Sequence, residues 1–414
     1  MNSLKHTVLD QNLFEQQLLR YFKNAKNIVF LNSNNIEKTN LFAVSENNDL
    51  NEKENQFGFV SYDYKNKIEQ LFSKHNDGIA FPDKHFFTPE ILFKISQNSV
   101  EVFSENSTQQ LFKLITEIET VSTNLKESKT IKVTPKISKE AYLKTINQLK
   151  KHIQLGDIYE VNFCQEYFAE DVSVNPIDIY VKLNQKSPTP FSCFVKCADK
   201  YLISASPERY IQKSGTKIIS QPIKGTAKRG KDKIEDEAIK KHLFNDPKER
   251  SENVMIVDLV RNDLSKIAKK NSVNVDELCG IYTFPQVHQM ISTVSAEVKK
   301  EISFNAILNA TFPMGSMTGA PKVRAMELIE KYEKTKRGLY SGTVGYIDEK
   351  GNFDFNVVIR SIAYNAKNNY LSFMVGGAIT VLSDPEKEYE ECLLKAKAML
   401  EVLDSSDDLK SSNE

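Results

Sequence analysis

Beyond Ser138 the sequence alternates short apolar runs with helical periods in no fixed order, without an internal repeat or a low-complexity segment, and this irregularity bounds the folds open to it. A regular βαβ array needs helix and strand signals to take turns, so an α+β domain of about 270 residues fits better. Its start is well marked. Ser138 is placed to N-cap a helix in which Tyr142, Ile146, Leu149 and Ile153 recur at helical spacing, and Gly156 ends the run. From Val121 to Thr134 the chain turns polar, so residues 126–137 read as a linker between an N-terminal region, 1–125, and a domain spanning 138–403, with a polar tail at 404–414. In the N-terminal region Leu13-Phe14, Leu18-Leu19 and Phe22 predict an amphipathic helix, and Asn27-Ile28-Val29-Phe30-Leu31 predicts a strand. Ser45 to Gln56 reads as an exposed loop, and Phe57-Gly58-Phe59-Val60-Ser61-Tyr62 as another strand.

The 414 residues carry 55 basic and 55 acidic side chains, so no net field draws the chain to nucleic acid or to an anionic membrane. A small molecule or a protein is the better expected partner. No apolar run approaches the roughly 20 residues of a membrane span. The polar start, Met1-Asn2-Ser3-Leu4-Lys5-His6, lacks the apolar core of a signal peptide, and a cytoplasmic location is expected. Cys164, Cys193, Cys197, Cys279 and Cys392 form no CxxC pair and read as reduced, mostly core residues.

Gly225-Thr226-Ala227-Lys228-Arg229-Gly230-Lys231-Asp232 nearly spells a phosphate-binding P-loop, which would make the chain an NTPase. The loop needs Ser or Thr after its lysine, and Asp232 would set a negative charge against the phosphates. Other candidate groups each have an ordinary reading. Lys224 could be a solvated surface charge, and Glu208 could pair with Arg209 or cap a turn. Glu252 opens an apolar helical run, where the helix dipole favours an acid in any case. Glu388, Glu391 and Lys395 are spaced i, i+3 and i+7, which on a surface helix is a salt-bridge ladder. Arg360 follows Phe355-Asn356-Val357-Val358-Ile359 and reads as a snorkelling residue at the end of an apolar strand.

These groups lie in seven segments. Ser204-Ala205-Ser206-Pro207-Glu208-Arg209, Gln221-Pro222-Ile223-Lys224-Gly225-Thr226 and the run Ser251-Glu252-Asn253 through Val260-Arg261-Asn262-Asp263-Leu264 come first. Gly315-Ser316-Met317-Thr318-Gly319-Ala320-Pro321-Lys322, Tyr340-Ser341-Gly342-Thr343-Val344-Gly345-Tyr346, Gly376-Gly377-Ala378-Ile379 and Glu388-Tyr389-Glu390-Glu391 follow. In that order the chain resembles the chorismate-utilising enzymes, strongly from Ser138 to Leu403 and weakly through Gly58-Phe59-Val60-Ser61-Tyr62-Asp63. The resemblance implies the α+β fold of anthranilate synthase component I, with antiparallel sheets packed together and helices outside. It also implies a magnesium ion on the ring carboxylate, held by Glu252 and Glu391 with Glu388 acting directly or through water, a donor set that suits this ion. Arg360, Lys395 and the backbone around Gly376, Gly377 and Ala378 would hold the carboxylates and the enolpyruvyl group, with Gly225, Thr226, Thr318 and Tyr340 completing the substrate contacts.

Within the family, anthranilate synthases usually carry alanine where Lys224 stands, whereas aminodeoxychorismate synthases with a covalent route carry lysine. The resemblance therefore implies an aminotransferring synthase of the transaminase class that makes 4-amino-4-deoxychorismate, the precursor of p-aminobenzoate in folate biosynthesis. Lys224 would add at ring C2 as the 4-hydroxyl leaves, Glu208 would protonate that hydroxyl, and ammonia would attack C4 and expel the lysine. A lysine of pKa about 10.4 is neutral about once in 2,500 at pH 7, a deficit of roughly 4.6 kcal/mol, and burial beside a metal is expected to lower it. Glu208 must shift upward to act as an acid. Isochorismate and salicylate synthases carry lysine where Glu160 stands, to activate water, and related aminating enzymes carry glutamine. Glu160 is thus a departure, as is Val287-His288-Gln289, where the family histidine falls on Gln289. No cysteine has the flanks of a glutaminase elbow, so ammonia is expected from a separate glutamine amidotransferase subunit.

Overall fold

The structure is a computed structural model, and it describes residues 2–36, 39–125, 130–284 and 287–404. Residues 126–129 of the expected linker and 405–414 of the expected tail lie outside the described residues. The Asn27–Asn32 strand shows why its sequence is apolar without alternation. Ile28 and Phe30 enter a core beneath helices, whereas Val29 enters a second core between two sheets, so both faces are covered. Strand Phe191–Cys197 divides in the same way, with Phe194 on the helix side and Cys193 and Val195 between the sheets.

Among the described residues twelve strands form one sheet and nine the other, and every pairing is antiparallel. The first sheet runs from Asn2–Thr7 through Asn27–Asn32, Phe191–Cys197, Lys200–Ser206, Ser361–Asn365 and Tyr370–Ile379 to Glu160–Ala169 and Gly319–Ala320. The second runs from Ile223–Lys228 through Val287–Glu297, Arg209–Ser214, Phe353–Asn356 and Thr343–Ile347 to Gln56–Val60 and Lys84–Phe87. Strands from residues 2–104 therefore sit inside both sheets. Gly58 makes the pairing of Gln56–Val60 with Lys84–Phe87 possible, because a Cβ there would lie 2.1 Å from the carbonyl oxygen of His85.

The Lys139–Gln154 helix begins where its sequence predicts: Ser138 Oγ accepts the Ala141 N–H at 3.2 Å, and Gly156 takes φ +81° beyond the last turn. Tyr142, Ile146 and Leu149 are buried against the first sheet. The Pro247–Ser265 helix differs from expectation. It starts five residues before Glu252, because Asp246 caps it and Pro247 occupies its first position, so Glu252 lies beyond the first turn, where the dipole has little hold. The near-P-loop also resolves differently. Ile223–Lys228 is a strand paired with Val287–Glu297, and Asp232 is the N-cap of helix Lys233–Asn245.

One buried ion pair ties several of these pieces together. Arg337 and Glu333 meet at 2.6 Å, with side chains 1% and 2% exposed. Arg337 also donates to the Met317 and Asn162 carbonyls at 2.6 and 2.8 Å and lies over the Tyr62 ring at 4.5 Å, while Glu333 Oε1 accepts the Cys164 N–H at 2.9 Å. Removing one partner of a buried pair strands the other charge, at a cost of about 3–5 kcal/mol. Arg337→Met is expected to lose stability in that range, read from the urea midpoint, and a wild-type midpoint would show that the pair does not hold these segments.

Candidate active site

The chain crosses from one sheet to the other twice at adjacent places, and a site residue sits in each crossing. Glu208 lies between Lys200–Ser206 of the first sheet and Arg209–Ser214 of the second, and Arg360 lies between Phe353–Asn356 of the second and Ser361–Asn365 of the first. Backbone bonds lace the crossings together, from Val357 N–H to Glu208 O at 3.0 Å and from Ala205 N–H to Arg360 O at 3.1 Å. Arg360 thus does not end a long apolar strand. That strand stops at Asn356, and Arg360 takes the left-handed φ of +49°, an uncommon conformation for a non-glycine residue. Its guanidinium is near Glu208 and has no hydrogen-bond partner among the described residues. Glu208 is buried, accepts a hydrogen bond from Ser316 Oγ at 2.8 Å, and is pushed up to about 7 by burial, against the opposing pull of Ser316 and Lys224.

Lys224 enters from the Ile223–Lys228 strand at a register irregularity, where Gly225 adopts φ +94° and the bulge re-aims the neighbouring side chain. Its Nζ lies 2.9 Å from Glu160 Oε1 and 3.9 Å from Glu252 Oε2. Burial alone would lower the lysine pKa, as the sequence leads one to expect, but Glu160 and Glu252 outweigh it and hold the ammonium well above the usual range. Glu160 is 1% exposed, and its second oxygen has no hydrogen-bond partner among the described residues. Glu252 is pushed up to about 7, by burial first, and its Oε1 is likewise unpartnered.

The Pro385–Val402 helix supplies the opposite wall. Its Glu388, Glu391 and Lys395 share a face, as their spacing predicts, and that face meets Gly377 of the Tyr370–Ile379 strand. A Cβ at Gly377 would lie 3.3 Å from Glu388 Oε2 and 3.8 Å from both Glu391 Oε1 and Lys395 Nζ, so glycine keeps this space open. Lys395 donates to the Gly376 carbonyl at 2.8 Å and pairs with Glu391 at 2.7 Å. Lys248, one helical turn before Glu252, stands between Glu252 and Glu388. Neither Lys248 nor Ser316 is a site residue on the sequence reading. Lys248 would have emerged from its i, i+4 relation to Glu252 had the helix start been placed at Pro247.

Other expected contacts lie further out. Thr318 is buried, and its hydroxyl is used by the Met314 carbonyl at 3.1 Å. Tyr340 is buried with its hydroxyl 3.7 Å from Cys164 Sγ, and Ala378 is paired within the sheet opposite Asn162. Thr226 is exposed, in register with Gln289. Gln289 itself is buried, and its Oε1 has no hydrogen-bond partner among the described residues, while His288 is fully buried and bridges Asp236 and Thr283 at 2.8 and 3.0 Å.

A hard dication takes oxygen ligands. Glu252 Oε1, which has no hydrogen-bond partner among the described residues, and the open cradle over Gly377 beside Glu388 and Glu391 fit one. Among the described residues no three acidic, histidine or cysteine side chains already converge on a single point.

Residues 6–401 match the family model described as chorismate binding enzyme. The chain belongs to that family. Aminodeoxychorismate synthase component 1 of Bacillus subtilis (strain 168) is 34% identical over 366 residues, 85% of this chain and 77% of the relative. Anthranilate synthase component 1 of Acetivibrio thermocellus is 32% identical over 376 residues, 85% and 76%. The chain spans 30–39% of the length of three longer relatives named aminodeoxychorismate synthase. The crystal structure of anthranilate synthase component I from Streptococcus pneumoniae TIGR4 superposes with a TM-score of 0.74 at 30% identity, covering 83% of this chain and 80% of that one. The expected α+β family fold is thereby met, and the chain is an enzyme acting on chorismate. No helix of the described residues is long and apolar enough to cross a membrane.

The Glu208 carboxyl makes a pH prediction. Its pKa in the fold is about 7 against an ordinary 4.5, so the folded chain keeps it neutral where the unfolded chain ionises. The fold is therefore unpenalised below pH 4.5 and progressively penalised up to pH 7, by about 3 kcal/mol in total. Urea unfolding of Glu208→Gln is expected to gain on wild type by that amount between these two pH values. A difference that stays constant with pH would contradict the shift.

Proposed function

We propose that the chain is the chorismate-aminating component of an aminodeoxychorismate synthase, converting chorismate and ammonia to 4-amino-4-deoxychorismate through a covalent bond to Lys224, with ammonia delivered by a separate glutaminase subunit. The observation that carries this reading is a lysine with a side chain only 12% exposed, its Nζ 2.9 Å from Glu160, close enough to a buried acid of raised pKa to pull on its charge. Lys224 must shed a proton before it attacks, and Glu160 is the nearest acceptor. The Lys224 nitrogen then bonds to ring C2, the double bond shifts, and the C4–O bond breaks as Glu208 gives its proton to the departing oxygen, releasing water. Ammonia bonds to C4, the double bond returns, and the C2–N bond to Lys224 breaks. Arg360 matches a carboxylate bidentately, and among the described residues its guanidinium makes no hydrogen bond that would compete, while burial favours the neutral form of nearby Glu208.

Glu252 and Glu391, with Glu388, would hold a magnesium ion, which when bound supplies counter-charge to the ring carboxylate. A second reading, anthranilate synthase component, is supported by the comparable identity of relatives bearing that name. The product separates the two. Purified chain with chorismate, magnesium and an ammonium salt is expected to yield 4-amino-4-deoxychorismate by mass spectrometry, whereas anthranilate with pyruvate would establish the second reading. Glutamine is expected to support turnover only with an added glutaminase. Without ammonia, an adduct is expected on the Lys224 peptide. Lys224→Ala and Lys224→Arg should both lack it and lose most activity, since a guanidinium offers no free lone pair. Full activity in the arginine variant would rule out the covalent route.

A further inference from the structure

Lys248 occupies an unusual place for a half-exposed surface lysine. Its Nζ lies 3.9 Å from Glu252 Oε1 and 3.7 Å from Glu388 Oε1, on carboxylates from two different helices. Neither separation is a hydrogen bond. Glu388 Oε1 instead accepts from Ser383 Oγ at 2.7 Å, and Glu252 Oε1 has no hydrogen-bond partner among the described residues although its side chain is only 10% exposed. The ammonium is held between the two acids by charge rather than by directed bonds. Glu249 and Glu391 also face it, so the lysine sits in a field of four carboxylates. Its own side chain is 40% exposed, which leaves the flexible stem room to carry the charge out to solvent.

We propose that Lys248 is a tethered placeholder cation that sits between Glu252 and Glu388 and must swing outward before a dication can bind there. This rests on the reading of those two acids as metal ligands. Without Lys248, Glu252 Oε1 and Glu388 Oε1 would lose the cation between them, since Lys224 lies against the other oxygen of Glu252 and Lys395 against Glu391. With Lys248 in place the helices keep their spacing. When it leaves, both sets of carboxylate oxygens turn to the incoming ion, and the displaced ammonium stands at the mouth of the cleft. A competitor of this kind lowers the apparent metal affinity by the fraction of molecules in which the lysine has moved away.

The test measures metal binding rather than turnover. The full chain, without chorismate, is titrated with manganese(II), and free ion is followed by its paramagnetic resonance signal in wild type, Lys248→Met and Glu252→Gln. Thermal melts accompany each titration and verify that every variant is folded. Lys248→Met keeps the length of the side chain and removes its charge, so it is expected to bind manganese about tenfold more tightly than wild type. Its metal-free melting temperature should fall, and saturating manganese should raise it by more than in wild type. Equal or weaker manganese binding in Lys248→Met, with binding lost in Glu252→Gln, would overturn the placeholder role and leave the metal site standing. If wild type and Lys248→Met both fail to bind, or if Glu252→Gln binds as wild type does, the metal reading itself falls and the placeholder role falls with it.

Discussion

The contact between Arg337 and Glu333 determines much of what surrounds it. Two charges removed from water carry a large desolvation cost, which is offset only when nearly every donor and acceptor is used. Here the guanidinium reaches the carbonyls of Met317 and Asn162, and the carboxylate takes the N–H of Cys164. Each of those backbone groups neighbours a residue of the cleft. Met317 follows Ser316, which bonds Glu208, and Asn162 and Cys164 belong to the strand that begins with Glu160. The turn that carries Ser316 and the strand that carries Glu160 are thus tied to one ion pair.

Around the cleft, acids and lysines are interleaved across elements. Glu160, Lys224, Glu252, Lys248 and Glu388 form a spatial series of alternating sign contributed by two strands and two helices, and Glu391 with Lys395 continues it along one helix. Such an arrangement fixes charge before any substrate arrives. Charges fixed in this way need less reorganisation when a charged molecule binds among them.

Local periodicity carried a good part of this. The Ser138 cap, the strand at Asn27 and the shared face of Glu388, Glu391 and Lys395 all follow from spacing alone, and the structure has them in place. The contact between Lys224 and Glu160 spans 64 residues and leaves no local trace, so Glu160 appeared in the sequence only as an odd residue at its position. The place of Arg360 is hidden for a related reason. An apolar run beginning at Phe355 looks like one strand, yet it leaves one sheet and enters the other, and only tertiary packing makes that turn. The rise in the lysine pKa was hidden in the same way, since burial is legible from composition around a residue but the partners that overrule it are not.

The Gln56–Val60 strand finds its neighbour in Thr343–Ile347. On a ribosome that neighbour emerges roughly 280 residues later, some 15–60 s at about 5–20 residues per second. Throughout that interval a ribbon bearing Phe57 and Phe59 has a free edge, the kind of surface that recruits any other unpaired strand within reach. The Ser45 to Gln56 segment just ahead of it is dense in Asn and Glu, with Glu46, Asp49, Glu52 and Glu54 among them. With a single Lys53 against four acids, that stretch sets like charge beside the open edge, which opposes pairing between two copies of the same strand.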